Sequence, residues 1–292
     1  MSVRLRSKRL VSSSLSTDRS ESEKKDFEKA CQCCDKKKRF AIFKDLGVLE
    51  YRKALELQTQ TVEAIQSKTK TLPCSLPDQN NNQETIFFVE HPTVYTLGKR
   101  GGLENLSVSP QFLKSKNIEI VKTNRGGNIT WHGPGQAVLY PVIDLKKNKI
   151  AVKDFVYGLE EVMKLTLNNF NINAQRDRKN HGIWVGDSKI GSIGLSIKKG
   201  VSMHGLALNI NPDLKPFSWI KPCGLNNIAM TSIEKEISGE KEKNCQKEIS
   251  NLNNIALTGS SECSDVSMEK IKDCFKRYFS LIFNFKIIVN NE

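Results

Sequence analysis

The spacing of apolar residues along the chain predicts three helices. From about Val48 to Ser67, after Gly47, the residues Tyr51, Ala54, Leu55, Val62 and Ile65 fall near one face at helical intervals. Val152 to Phe170 repeats the pattern with Val152, Phe155, Val156, Leu159 and Met163 on its inner side. Ser267 is placed to cap a last helix carrying Met268, Ile271, Phe275, Tyr278 and Ile282. Other segments read as strands. Ala41–Phe43, Thr85–Glu90, Asn117–Lys122 and Phe285–Val289 are short, and Thr85–Glu90 has the apolar run of a buried strand. Ala137–Leu145 contains Pro141, which predicts an edge or bulged position. Gly182–Ser196 and Met203–Ile210 read as partners joined by a turn near Lys198–Gly200. Strands and helices mix without a regular βαβ rhythm and without internal repeats. The fold class is therefore α+β, a mixed β-sheet with flanking helices.

Three stretches break the pattern. Residues 1–38 are rich in Ser, Lys, Arg and Glu and poor in large apolar side chains, and we read them as a disordered leader before a domain over residues 39–292. Arg4, Arg6, Lys8 and Arg9 beside Ser12–Ser14 also suit a mitochondrial or plastid transit peptide, but the acidic residues from Asp18 onward do not; a misplaced start is the other reading. Leu72–Glu84 is a Pro- and Asn-rich loop. Residues 234–266 are charged and rich in Asn and Ser, as expected of a mobile surface insertion.

A net charge of +13 suits an acidic protein partner or nucleic acid. Zinc-finger, RRM and helix-turn-helix patterns are missing, so nucleic acid is not expected. No apolar run is long enough for a membrane span or signal peptide, which points to the cytoplasm unless the leader is a transit peptide. Cysteines scattered without a secretory signal fit a reducing compartment. Cys31, Cys33 and Cys34 have no second Cys or His pair at finger spacing, so no metal is expected.

The candidate chemistry begins at Asn124–Gln136, Asn-Arg-Gly-Gly-Asn-Ile-Thr-Trp-His-Gly-Pro-Gly-Gln. Two glycine clusters flank a segment in which Ile129 and Trp131 alternate with Thr130 and His132, the period of a strand. From these residues alone, a pocket wall carrying Arg125 and His132 and an ordinary hairpin are both open. His91, before Pro92, reads as structural.

This segment resembles the signature of the lipoyl(octanoyl) transferases. Two further stretches match that family in order: Gly186–Gly194 followed by His204-Gly205-Leu206-Ala207-Leu208-Asn209, and Pro222-Cys223-Gly224. The resemblance covers roughly residues 39–234 and a C-terminal helix. It implies the fold of biotin and lipoate protein ligases. It also implies an acyl pocket lined by Arg125, Gly126, Gly127, Asn128, Ile129, Thr130, Trp131 and His132, by Ser192, Ile193 and Gly194, and by His204, Gly205, Leu206 and Ala207. Asn128 stands where the family commonly has Gln, and Trp131 where it often has Tyr or Phe.

The resemblance further implies a nucleophile, Cys223, paired with Lys189. A free thiol with a pKa near ~8.5 is only a few per cent thiolate at neutral pH, and a neighbouring ammonium favours the anion. The implied reaction moves octanoyl from acyl carrier protein onto Cys223 as a thioester. A lysine of a lipoyl domain then takes it as an amide, in 2-oxoacid dehydrogenase complexes and the glycine cleavage H protein. Lys189 would carry protons in both steps, and backbone amides near the glycines would hold the oxyanion. Thioester exchange is nearly balanced in energy, so no cofactor and no ATP is expected. The alternatives are an ATP-dependent lipoate or biotin ligase, an octanoyl amidotransferase, and a basic non-catalytic binding protein.

Overall fold

The computed structural model describes residues 39–68, 84–177, 181–221, 228–239 and 266–289. A nine-stranded mixed sheet runs through these residues. Its strands, in chain order, are β1 (Arg39–Val48), β2 (Thr85–Glu90), β6 (Gln136–Val142), β7 (Gln175–Arg176), β8 (Ile183–Val185), β9 (Ser188–Lys198), β10 (Val201–Asn209), β11 (Ala229–Met230) and β12 (Phe285–Val289). Their spatial order is β12-β1-β2-β6-β10-β9-β8-β7, with β11 beside β9. β1 runs parallel to both neighbours, β2 to β10 pair antiparallel across β6, and β11 runs parallel to β9. A second sheet of three strands has β3 (Val94–Leu97) between β4 (Glu119–Lys122) and β5 (Thr130–His132).

Helices cover both faces of the large sheet, so its central strands are apolar on both sides instead of alternating with polar residues. In β6, Val138, Tyr140 and Val142 pack with α1 (Tyr51–Lys68). Ala137 and Leu139 of the same strand join the larger cluster formed with α3 (Val152–Asn168) and α5 (Met268–Phe283). Ile271, Phe275, Phe279 and Phe283 are the buried stripe of α5, spaced four residues apart. Ser267 caps that helix as expected, its hydroxyl accepting from the Lys270 amide. Tyr278 and Ile282 are only partly buried against the core. The β9–β10 hairpin closes on Lys199 and Gly200, with φ of 51° and 91°, the left-handed pair that matches the twist of a two-residue hairpin.

Three expectations need correcting. Pro141 sits in the middle of the large sheet, between β2 and β10, not on an edge. The ladder to β10 stops at Leu139–Leu206. Beyond it the Ser202 hydroxyl donates to Pro141 O (2.7 Å) and accepts from Ile143 N (3.0 Å), bridging the strands where the proline, which has no N–H, interrupts the ladder. Gly205 leaves the room for this: a Cβ there would lie 2.0 Å from Leu139 O and 2.8 Å from Pro141 Cδ. Val152 is not on the inner face of α3 but 48% exposed, one residue past the helix cap at Ala151. Finally, residues 233–239 form a further helix, α4, with Ile233 buried in the main core. The rest of the expected insertion up to residue 265, and the expected leader over residues 1–38, lie outside the described residues.

Elements that the apolar spacing did not predict lie near the small sheet. Helix α2 (Pro110–Ser115) is capped by Ser109 and starts on a proline. With β3, β5 and the 3-10 turn Lys215–Trp219 it encloses a third cluster of Tyr95, Leu113, Ile129, Trp131 and Phe217. Among the described residues no helix is long and apolar enough to cross a membrane.

Candidate active site

The glycine-rich loop before β5 folds back over the large sheet because three backbone bonds clamp it. Lys99 N donates to Arg125 O (2.9 Å), Arg100 N to Gly127 O (3.0 Å), and Gly126 N to Leu195 O of β9 (2.7 Å). The approach is close enough that a Cβ on Gly98 would lie 2.3 Å from Gly127 O. Gly127 itself has φ of +86°, a conformation that L side chains avoid.

Under this loop lies a cavity of about 630 Å³. It brings together Arg125, Gly126, Gly127, Asn128, Ile129, Thr130 and His132 with Lys189, Ser192, Ile193, Gly194, His204, Gly205, Leu206 and Ala207. Trp131 stands apart from them. Its ring is buried on the other side of β5, edge-on to Phe217 at 5.1 Å between centroids. Cys223 lies outside the described residues, with residues 222–227. The chain is described again from Ile228, and Met230 then pairs with Lys189 in parallel.

Motif reading missed Tyr51, Val138, Tyr140, Val152 and Val156, which also line the cavity, together with Arg100 and His181 at polar positions. Tyr51 and Tyr140 read as core aromatics. Val156 carried the helical signal of α3 but gave no hint that this end of the helix borders a cavity.

The polar groups are held from behind. The Arg125 guanidinium donates to Thr96 O (2.6 Å), Thr96 Oγ1 (2.8 Å) and Gly126 O (3.0 Å), so neutral oxygens aim a buried cation at the cavity. His204 has φ of 61°, an uncommon left-handed conformation for a residue with a side chain. Its amide donates to Gln58 Oε1 (2.8 Å), and its Nε2 meets Asn124 Oδ1 at 2.6 Å. His132 meets Gln136 Oε1 at 2.7 Å through Nδ1. His91, which the cavity does not include, uses both nitrogens, on Leu49 O (2.7 Å) and the Tyr140 hydroxyl (2.9 Å).

Burial sets the charge of this floor. It lowers His132 to about 3, aided by His91 and by the charge of Arg125. It lowers His204 to about 3, aided by Arg125 and Lys99. His91 falls to about 4 by burial, partly offset by its bond to Leu49 O. Burial also raises the Tyr51 hydroxyl to about 12. At neutral pH the three imidazoles and the phenol are therefore uncharged, which leaves Arg100, Arg125 and Lys189 as the basic side chains lining the cavity.

Lys189 is only 2% exposed. Its Nζ donates to His181 O (2.8 Å) and sits 5.4 Å from the centre of the Trp184 ring. Apolar walls from Val138, Val156, Ile193, Leu195 and Leu206 surround a polar end that carries an ammonium. That combination suits an acyl chain whose reactive carbonyl ends near a proton carrier. Among the described residues no three His, Cys, Asp or Glu side chains converge as metal ligands.

Residues 50–280 match the model of the lipoyl protein ligase A/B catalytic domain. An octanoyltransferase of Desulfotalea psychrophila is 49% identical over 157 residues, 53% of this chain and 70% of that one. One from Nitratidesulfovibrio vulgaris is 33% identical over 248 residues, 85% of this chain and 97% of that one. Among solved structures, a putative lipoate protein ligase from T. acidophilum superposes with a TM-score of 0.57 at 13% identity, covering 87% of this chain and 88% of that one. Lipoate-protein ligase A bound with ATP gives 0.54 at 14% identity, over 88% and 90%. These structural likenesses speak to the fold, which is the mixed α+β architecture expected from the sequence. With the family model spanning most of its length and relatives at this identity, the chain belongs to the lipoyl protein ligase A/B catalytic-domain family.

Proposed function

We propose that this protein is an octanoyltransferase of lipoate biosynthesis, taking octanoyl from acyl carrier protein through Cys223 to a lysine of lipoyl domains. The observation that carries this reading is the buried Lys189 ammonium at the polar end of an apolar cavity, in a chain whose relatives are named octanoyltransferases. Cys223 attacks the octanoyl thioester; the carbon–sulfur bond to the carrier breaks and one to Cys223 forms. The Lys189 ammonium stands beside Cys223 as the thiolate, having taken its proton, and gives that proton to the departing carrier thiolate. In the second step the acceptor amine attacks the Cys223 thioester; the carbon–nitrogen bond forms, the carbon–sulfur bond to Cys223 breaks, the now neutral Lys189 takes the proton the amine loses, and Cys223 is released as the thiolate.

Support for pairing Cys223 with Lys189 comes from the flanks of its segment. Lys221 N is bonded to Asn105 O on one side (2.8 Å), and Met230 runs beside Lys189 on the other. The partners are then octanoyl-acyl carrier protein and the lipoyl domains of 2-oxoacid dehydrogenase complexes and the glycine cleavage H protein. A free thiol nucleophile fits the cytoplasm.

The ligase reading has one observation in its favour: the similar solved structures include a lipoate ligase bound with ATP. The two readings separate when a lipoyl domain is incubated either with octanoyl-carrier protein alone or with octanoate and ATP. Transfer from the carrier without ATP, read as an octanoyl mass on the acceptor lysine, is expected. Transfer only from octanoate with ATP would replace the transferase by a ligase.

A further inference from the structure

Lys189 owes its place to a peptide bond that is held at both ends. The peptide joining His181 and Gly182 turns its carbonyl to Lys189 Nζ (2.8 Å) and its N–H to Glu160 Oε1 (3.0 Å). Glu160 is 5% exposed and comes from α3, on the far side of this peptide from the ammonium. Gly182 has φ of +125°, and a Cβ there would lie 2.7 Å from Lys189 Cε and 2.3 Å from Gly191 O. Glycine is thus required for the peptide to stand on edge between the two side chains.

We propose that Glu160 is a positioning residue for Lys189, acting through the His181–Gly182 peptide. A carboxylate accepting the N–H polarises the amide and makes its carbonyl a stronger acceptor for an ammonium. It also fixes the direction in which that carbonyl points. This rests on the reading of Lys189 as proton carrier to Cys223, and adds what holds that carrier.

The neighbouring charges make the idea testable. Arg176 lies 3.3 Å from Glu160 Oε2 and is also paired with Glu161. Neutralising Glu160 leaves the Arg176–Glu161 pair intact, so no buried cation is stranded and the variant should fold. Neutralising Glu161 removes the same charge from the same arginine without touching the peptide. His181, 3.5 Å from Glu160 through Nδ1, is itself largely exposed.

The experiment compares Glu160→Gln and Glu161→Gln in the full chain. Iodoacetamide alkylation of Cys223 is followed by peptide mass spectrometry across pH, without substrate. A less well-held ammonium leaves less thiolate. The Glu160→Gln profile should therefore move up by about half to one pH unit, about three- to tenfold slower alkylation at pH 7, towards that of Lys189→Ala. Glu161→Gln should keep the wild-type profile. Should Glu160→Gln not fold, Glu160→Asp serves instead, because its shorter side chain keeps the charge but falls short of Gly182 N. A wild-type profile that Lys189→Ala does not shift would sink the Cys–Lys reading itself. A profile shifted by Lys189→Ala but not by either Glu160 variant, or shifted equally by Glu161→Gln, would overturn the role of Glu160 alone.

Discussion

His132 Nδ1 donates to Gln136 Oε1 at 2.7 Å, and the direction of that bond is set two side chains away. Thr231 O can only accept, so Asn209 presents its NH₂ to it (2.9 Å) and its Oδ1 to Gln136 Nε2 (2.9 Å). Gln136 then has only its oxygen left for His132, which must carry its proton on Nδ1. Thr231 N in turn donates to Lys189 O (3.0 Å), so this relay ends on the strand that bears the proposed proton carrier.

Gln136→Leu strands two buried partners, the His132 N–H and Asn209 Oδ1. At about 1–3 kcal/mol each, the substitution should cost about 2–6 kcal/mol in urea unfolding. Gln136→Glu should instead raise His132 from about 3 by pairing it with a carboxylate, seen as a later imidazole titration by NMR. An unchanged His132 titration in that variant would contradict the relay.

The buried histidines also set a pH window. His91, His132 and His204 sit at about 4, 3 and 3 in the fold, against about 6.5 when unfolded. Their folded values are depressed, so the unfolded chain binds more protons and stability falls as pH drops below about 6.5. Glu84 opposes this. Burial raises it to about 7, so between about pH 4.5 and 6.5 the fold keeps one proton that the unfolded chain has lost. Three protons gained on unfolding less one leaves two, or roughly 2–3 kcal/mol lost per pH unit over that range. Urea midpoints at pH 7.0, 6.0 and 5.0 measure the slope; a flat or rising profile on acidification contradicts it.

Two glycines on neighbouring strands should respond differently to the same methyl group. At Gly205 a Cβ meets Leu139 O at 2.0 Å, a central-strand carbonyl that cannot yield, so Gly205→Ala should not give soluble folded protein. At Gly194 it meets Arg125 Cδ at 3.1 Å and Gly126 O at 3.2 Å, contacts that a few tenths of an ångström relieve. Gly194→Ala should fold with stability within about 1–2 kcal/mol of wild type, yet displace Arg125 and lose at least tenfold in transfer. Equal expression and equal activity of the two variants would show that the cavity wall is softer than these distances imply.

Much of this was legible before the fold was known. Helical spacing located α1, α3 and α5, and the Lys198–Gly200 turn joined β9 to β10. The motifs named the glycine-loop side and most of the β9–β10 side of the cavity wall, but not the side built by α1, β6 and α3. Trp131 was misplaced by the motif although its own alternation held the answer: if His132 and Thr130 face the cavity, the residue between them faces away. Pro141 misled because the gap it leaves in the ladder is bridged by the Ser202 hydroxyl, and nothing marks that residue as its partner some sixty residues on. Glu160 and Glu161 carried no signal at all. Acidic residues on a helix read as solvent-facing, and only the approach of Arg176 and the Gly182 amide explains their burial.

Substitutions at Lys189 separate charge from proton transfer. Arginine keeps the cation but holds its proton at any workable pH, and its planar head fits less well against His181 O. Lys189→Ala and Lys189→Arg should each lose most transfer, by the roughly 10²- to 10⁴-fold typical of a lost acid–base group. Lys189→Arg should keep faster Cys223 alkylation than Lys189→Ala. Transfer by Lys189→Arg within a few-fold of wild type would leave Lys189 as an electrostatic anchor only.

The central claim is the acyl-enzyme, and intact-protein mass tests it most directly. Mixed with octanoyl-carrier protein and no ATP or acceptor, the wild-type chain should gain the mass of one octanoyl group, mapped by digestion to Cys223. Cys223→Ala should gain none. An adduct on another cysteine, or no adduct while octanoyl still reaches an added lipoyl domain, would contradict the account.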